Sequence, residues 1–466
     1  MMSCFPSGKN KLVVLCLLLM LSFKCFPIPG KPLLLDAVLK SVDRSYPQIV
    51  IARLEIRKAE GDYVNALGKF DPSFDVNPRF QPVGGYINNY ADNLFNVPTL
   101  YNGLKLFGGY RIGRGDWPIY YQNYLTNSGG EYRAGLSLPL LRDRRIDKER
   151  TELFTREETI RMKQQDAAAT KIKIYQETIK AYWQWVEAGF QLRTFRHLLN
   201  LAKERQNAII QQAQQGDLPR LAIAENLQLI VQREQLVNQG EMLLAQAGIN
   251  LSLYYRDAKG KPQKPDESQL PATFPAQPIR VSNSIAQLQR HPVLRKLENY
   301  SKIVKLKQNL ARNELLPNLD ATAYTFKQYG TGGYPLLIPQ AAMIGVNFKF
   351  PIFQREARGK LISTTSELQQ VQTEMKFTYE QLNNELSNLL VAIRIYQQQV
   401  VLLNKELNLA RQVEKGETKR FYEGDSTLFL VNQREQTTAQ VKLNWINAEI
   451  NLQEATALAR FFSSTQ

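Results

Sequence analysis

Cysteine is absent from this chain after position 25. The three present, Cys4, Cys16 and Cys25, cluster at the start, so no disulfide framework can hold the rest, which must be stabilised by packing. Histidine is scarce too: only His197 and His291 occur, both in stretches of helical pattern where a packed or solvated ring is the ordinary state. There is no glycine-rich phosphate loop followed by lysine and no cluster of metal-ligand residue types. These gaps argue against an enzyme and against any cofactor or metal. Long apolar runs are missing as well. Leu12 to Phe23 is the only one, shorter than the roughly 20 residues a spanning helix needs, and no later segment qualifies. It follows Lys9 and Lys11 and precedes a proline-bearing stretch ending near Gly30, the layout of a secretory signal peptide over 1–30.

Proline is missing from two windows, between Pro139 and Pro219 and after Pro351. Proline breaks helix interiors, so both windows admit very long helices. A helix from Arg144 to Gln215 would be about 105 Å long at 1.5 Å per residue. In the second window Met375, Tyr379, Leu382, Leu386, Leu389, Ile393, Tyr396, Val400, Leu403, Leu407 and Ala410 alternate steps of four and three, a heptad seam. Ile172, Tyr175, Ile179, Tyr182 and Val186 keep the same rhythm more briefly, and Trp183, Trp185, Ile395 and Leu402 add a second stripe. Two stripes let one helix contact neighbours on both sides. The plainer alternative from the heptads alone is a long antiparallel coiled coil.

The formal charge is +16, and +13 once Lys9, Lys11 and Lys24 are set aside. The basic residues are interspersed with Glu and Gln along helical stretches, as on a solvated helix face, so nucleic acid is not the expected partner.

What is present is a layout written twice. Pro47 and Pro72 bracket a helical pattern, as do Pro292 and Pro317. Each pair leads into an alternating strand and then a GGY triplet, Gly84-Gly85-Tyr86 or Gly332-Gly333-Tyr334. A second strand closes at Pro139 or Pro351, and a long helix follows, ending at Gly216-Asp217 or Gly424-Asp425 before more helix. In the strands, Phe74, Val76 and Phe80 alternate with Ser73, Asp75, Asn77 and Arg79, and Ala134, Leu136, Leu138 and Leu140 with Arg133, Gly135 and Ser137. Leu319, Ala321 and Ala323 alternate with Asn318, Asp320 and Thr322, and Val346, Phe348 and Phe350 with Asn347 and Lys349. One apolar face per strand suits a barrel wall between lipid and water, or a sheet with one buried face. The first half carries an extra stretch holding Tyr101, Phe107, Tyr110, Trp117, Tyr120, Tyr121 and Tyr124, either one long loop or an added strand pair around Gly103 to Gly113. The expected organisation is a first repeat over 31–253 (β segments 72–140, helical hairpin 144–253), a proline-rich linker over 254–280, and a second repeat over 281–466 (β segments 317–351, hairpin 355–462).

The doubled layout, the entries Tyr46-Pro47 with Asp71-Pro72 and His291-Pro292 with Leu316-Pro317, the exit Leu138-Pro139-Leu140-Leu141-Arg142 and the two Gly-Asp helix tips together resemble the TolC family of outer-membrane efflux and secretion channels. The resemblance covers essentially the whole chain after the leader. It implies a mainly α fold with a small β part: a homotrimer in which each chain gives four strands to a twelve-stranded outer-membrane barrel and its coiled-coil helices to a long periplasmic α-barrel. It further implies passive conduction from a periplasmic adaptor and an inner-membrane ABC, RND or similar pump, in efflux or type I secretion, with outer-membrane lipid around the barrel. The adaptor would dock at Gly216, Asp217 and Leu218 of one tip and at Arg420, Gly424, Asp425 and Ser426 of the other. An Arg-x-x-x-Gly spacing joins Arg420 to Gly424, whereas Gln212 stands at the equivalent place before Gly216. The acidic ring common in related channels has no counterpart in Thr427 to Arg434, so gating would fall to Arg220 or Arg434. The competing reading is a secreted pore-forming or structural coiled-coil protein.

Overall fold

Two helices of identical length, 68 residues each, dominate the computed structural model of the chain. The structure describes residues 31–116, 124–274, 288–332 and 340–462. The expected signal peptide, Trp117, Tyr120 and Tyr121, Gly333 and Tyr334 of the second GGY triplet and linker residues 275–280 lie outside the described residues. In chain order the elements are α1 (Leu35–Ser45), α2 (Pro47–Leu67), β1 (Ser73–Phe80), β2 (Asn88–Pro98), β3 (Lys105–Gly115), β4 (Glu131–Pro139), α3 (Lys148–Gln215) and α4 (Leu221–Ser252). After them come α5 (Pro292–Asn313), β5 (Asn318–Gln328), β6 (Ala341–Lys349), α6 (Arg355–Tyr422) and α7 (Leu428–Phe462).

Local chemistry explains the boundaries. Pro47 and Pro292 open α2 and α5 at the first turn, where the missing N–H is no loss. Both exits from strand to long helix turn on a residue with positive φ that is not glycine, Asp143 (66°) and Gln354 (50°). Each is tied to the entry into β5. Asn313 Nδ2 donates to Asp143 Oδ1 (2.9 Å), and Gln354 Nε2 donates to the Leu315 carbonyl (2.8 Å). Such anchors hold a backbone conformation that would otherwise cost about 1–3 kcal/mol.

The six strands form one antiparallel sheet in sequence order. The extra stretch is therefore an added strand pair, β2 and β3, turning at Asn102 and Gly103, both at positive φ. This corrects the four strands implied by the resemblance. Register aligns the side chains by face. Phe74, Phe95, Gly108, Ala134, Thr325 and Ala342 form one cross-strand row, and Leu106, Leu136, Ala323 and Ile344 another on the same side. On that face Phe74, Val76, Phe80, Phe95, Leu106, Tyr132, Leu136, Ile344, Val346 and Phe348 are all exposed. The opposite face carries Asp75, Asp92, Arg111, Glu131, Arg133 and Asp320, with rings such as Tyr90 and Phe107 among them.

The chain divides into two compact units, each drawing residues from both halves of the sequence. In the unit of 31–44, 178–278 and 396–453, α3 is buried on several sides, with Tyr182, Trp183, Trp185 and Val186 at 1% exposure or less. Residues 254–274, expected as a plain linker, pack onto it. Leu270 fills the notch at Gly189, where a Cβ would lie 2.3 Å from its Cδ1. Phe274 stacks on Phe190 at 4.4 Å. In the unit of 45–177, 279–395 and 454–462, the seam residues Leu382 and Leu386 of α6 pack with Leu288, Leu294 and Phe462. The second stripe of α6 behaves differently: Val391, Ile395, Val401, Leu402, Leu409 and Val413 are exposed. One stretch of α6 is apolar and long enough to cross a membrane by composition, which the sequence reading passed over. The heptad spacing of its apolar residues accounts for it.

His291 caps α5, its Nδ1 accepting from the Val293 N–H (3.4 Å), with Phe462 5.4 Å away between ring centres. Burial lowers its pKa from 6.5 to about 4. The unfolded chain therefore takes up this proton at higher pH than the folded one. The contribution is full above pH 6.5 and is lost as pH falls toward 4, about 3 kcal/mol in all. Thermal unfolding followed by circular dichroism should show falling stability across that window, and His291→Asn, which keeps a capping oxygen, should remove that component.

Candidate functional site

Both helix tips lie in the unit that holds residues 178–278 and 396–453. At the first, α3 stops at Gln215 and Gly216 takes φ +89°. Nothing would touch a Cβ there, so conformation rather than space demands glycine. The Asp217 and Leu218 N–H groups both donate to the Gln212 carbonyl, at 2.9 and 3.3 Å. The second tip repeats this geometry. Gly424 has φ +82°, and the Asp425 N–H donates to the Arg420 carbonyl at 2.8 Å. These are left-handed helix ends that satisfy late carbonyls.

Side chains distinguish the tips. Arg420 Nη2 donates to the Asp425 carbonyl (3.0 Å) and lies 3.5 Å from its Oδ2, while Ser426 Oγ donates to the buried Glu417 carboxylate. Arg420 thus braces its own turn while its side chain stays half exposed. Gln212 offers the first tip only its carbonyl among these turn bonds. Beneath both tips lies one cluster of Ile209, Ala222, Phe421, Leu428 and Val431, onto which Leu218 and Ile223 pack. The predicted residues are therefore brought together: Gly216, Asp217, Arg420, Gly424 and Asp425 are exposed, and Leu218 and Ser426 half-buried. Sequence reasoning missed Leu221, Tyr422 and Phe429, large apolar residues exposed beside the tips. Their signal was a bulky side chain adjacent to a turn and off the heptad seam.

Arg220 is exposed, and Arg434 is half-buried, its Nε lacking a partner among the described residues. The structure joins neither to an ion pair there. It instead buries Glu435 between two other arginines. Arg233 Nη2 meets Glu435 Oε2 at 2.7 Å, Arg205 Nη2 meets Oε1, and Arg205 Nη1 reaches Asn432 Oδ1 at 2.7 Å. All three charged side chains are 5% exposed or less. Burial, reinforced by the Arg205 charge, lowers the pKa of Arg233 to about 10; burial lowers that of Arg205 too. The group ties α3, α4 and α7 together behind the tips. Glu435 stands one residue beyond Thr427 to Arg434, the stretch that holds no carboxylate. Its signal was a carboxylate on the spacing Leu428, Val431, Glu435, Thr438, a seam position where a charge needs a partner. Among the described residues no group of His, Cys, Asp or Glu is placed to hold a metal ion.

Removing the shared carboxylate leaves two buried guanidinium groups facing each other. Glu435→Gln should lower stability by about 3–5 kcal/mol. Replacing all three with apolar residues (Arg205→Met, Arg233→Met, Glu435→Leu) should cost less, as thermal denaturation of the variants would show.

Comparison with protein-family models and with curated proteins finds no match to the sequence. Solved structures do match. The CmeC outer-membrane channel of Campylobacter jejuni aligns over 92% of this chain and 85% of its own, with a TM-score of 0.65 at 14% identity. The outer-membrane protein VceC of Vibrio cholerae aligns over 92% and 96%, with a TM-score of 0.65 at 13% identity. The open-state MtrE outer-membrane channel of Neisseria gonorrhoeae aligns over 92% and 89%, with a TM-score of 0.64 at 14% identity. At these identities the likeness establishes the fold: the chain is folded as the TolC-family outer-membrane channels are.

Proposed function

We propose that three copies of this chain form a channel in the outer membrane that conducts substrate passively out of the periplasm. The observation that carries the proposal is the two-faced sheet. One side is lined by exposed Phe, Val, Leu and Ile, and the other carries Asp, Arg, Asn and Lys with rings such as Tyr90, Phe107 and Phe326 among them. That division suits lipid outside and water inside. The sheet also has two unpaired edges, β1 and β6, which run antiparallel because the intervening strands alternate. Pairing β6 of one copy with β1 of the next removes every edge, as a spanning sheet requires. Three copies then give eighteen strands rather than twelve. The exposed second stripe of α6 supplies an apolar face against which a neighbouring copy can pack.

The tips are the proposed docking site for a periplasmic adaptor, itself coupled to an inner-membrane ABC, RND or similar pump. Gly216, Asp217, Leu218, Arg420, Gly424, Asp425 and Ser426 would meet the adaptor, with Leu221, Tyr422 and Phe429 adding apolar anchors. Arg220 and Arg434 are the candidates for lining the entrance, and release of the Glu435 ion group is the step that frees the helices. No chemistry and no nucleic acid enter this role.

The chain's lack of late cysteines makes the closure testable. Cysteine at Asn77 in β1, paired in turn with cysteine at Met343, Gly345 or Asn347 in β6, should yield oxidised bands at two and three subunit masses and none higher. No cross-link, or a ladder past three, would defeat ring closure. Separately, Gly424→Trp should leave that trimer intact while export of a co-expressed pump's substrate is lost; undiminished export would remove the tips from the mechanism.

A further inference from the structure

Where α3, α6 and α7 face one another, a short stretch of the seam carries charge instead of apolar side chains. Arg411, Glu414 and Lys415 of α6 and Glu435, Thr438 and Lys442 of α7 stand at steps of three and four, so each set lies on one helix face, and α3 forms the third wall. The same faces turn apolar again at Leu407 and Phe421 on α6 and at Val431 and Ile446 on α7, all buried. Between the charged sets lies a partly enclosed cavity of about 290 Å³, where Thr438 and Ala439 are too short to fill the space. A water takes about 30 Å³, so a small ion and part of its hydration shell fit. All of these residues belong to one compact unit.

Both carboxylates of the lining are already committed. Glu435 is shared by Arg205 and Arg233, and the charge of Glu414 opposes the downward pKa shift that burial imposes on both arginines. Those four groups cancel. Arg411, Lys415 and Lys442 remain, and among the described residues none of the three forms an ion pair or a side-chain hydrogen bond. Farther along the same helices, Glu204, Glu417 and Glu449 stand outside the lining, and Glu417 serves Arg420 and Ser426. Lys442 is half-buried; burial lowers its pKa and the Arg411 charge lowers it further, with no carboxylate opposing them. Thr438 is 9% exposed, and its Oγ1 has no partner among the described residues. A buried hydroxyl and a half-buried cation left in this way each carry a desolvation cost that a bound acceptor removes.

We infer that this cavity binds a small oxyanion of the phosphate class, held by Lys442, Arg411 and Lys415 with the Thr438 hydroxyl as a further donor. Ammonium and guanidinium groups give charge-assisted hydrogen bonds to such oxygens, and three unopposed positive charges suit a dianion. The Glu435 group joins α3, α4 and α7; the anion joins α6 to α7 at the neighbouring level. Binding to N and not to the unfolded chain stabilises the packed helices. Nothing in this site requires the sheet to close or the tips to dock, so it stands or falls apart from the channel.

The test uses the full-length protein in nonionic detergent, titrated with inorganic phosphate at an ionic strength held constant with sodium chloride. Calorimetry should show one saturable site per chain with a dissociation constant of about 1 mM or tighter. Lys442→Met should weaken binding about tenfold and Thr438→Val about two- to tenfold. Lys405→Met, which removes an exposed cation of α6 outside the cavity, should leave it unchanged. In the wild type, saturating phosphate should slow acetylation of Lys442 severalfold while Lys405 reacts as before, which peptide mass spectrometry reads without any variant. Concentrated phosphate stabilises proteins in general by exclusion from their surface, so saturation and site dependence are the decisive readouts. No saturable heat in the wild type, or Lys442 acetylated at the same rate with and without phosphate, overturns the inference. Binding that Lys442→Met leaves intact puts the anion elsewhere and overturns it too. Each of these failures leaves the channel proposal standing.

Discussion

A backbone amide in hydrocarbon has no water to bond, and an apolar side chain in water gains nothing by standing there. The sheet of this chain meets both conditions on opposite sides. Its exposed face is made of groups that water does not favour, and its two edge strands carry unpaired amides that lipid does not tolerate. A single copy satisfies neither condition. Closure into a ring with other copies satisfies both, and the antiparallel sense of β1 against β6 allows it. The added β2–β3 pair changes the size of that ring but not its logic, since adding two strands preserves the antiparallel meeting of the edges.

The helices solve a different problem. They are held in register by a seam of spaced apolar residues and by a buried charge group at one end. Leu382, Leu386 and Leu407 are buried in the single chain, whereas Ile395 and Leu402 are not. An apolar core alone lets helices slide. Arg205, Glu435 and Arg233 fix three helices at one level, because none of these charges can be left buried without its partners. Behind two exposed tips, such a group is a sensible latch: it is stable when complete and costly when partly broken.

Much of this was legible in the sequence. Proline-free windows gave the two long helices, and the positions of Pro47 and Pro292 gave the entries into the strand regions. The strand alternation put Phe74 and Val76 on one face of their strand and Val346 and Phe348 on one face of theirs, and the register then joined the two faces. The tips followed from glycine before aspartate. What stayed hidden was non-local. Asn102-Gly103 is a hairpin signal, but its strands are rich in Gly and Asn and lack clean alternation, so a long loop was equally plausible. Residues 254–274 have no periodicity because they pack through single residues, Leu270 into the space over Gly189 and Phe274 onto Phe190, rather than through a repeating face. The partners of Glu435 lie 230 and 202 residues away, and no local pattern announces such a pairing.

Everything proposed for this chain requires the two free sheet edges to be joined between copies around water. Single-particle imaging of the protein extracted from outer membranes in detergent addresses that directly. A three-fold particle with a hollow barrel of eighteen strands, Asp92, Arg111 and Arg133 toward the lumen and Phe74, Val346 and Phe348 toward detergent, is the expected result. A particle without a lumen, or one whose β1 and β6 edges remain unpaired, would contradict it.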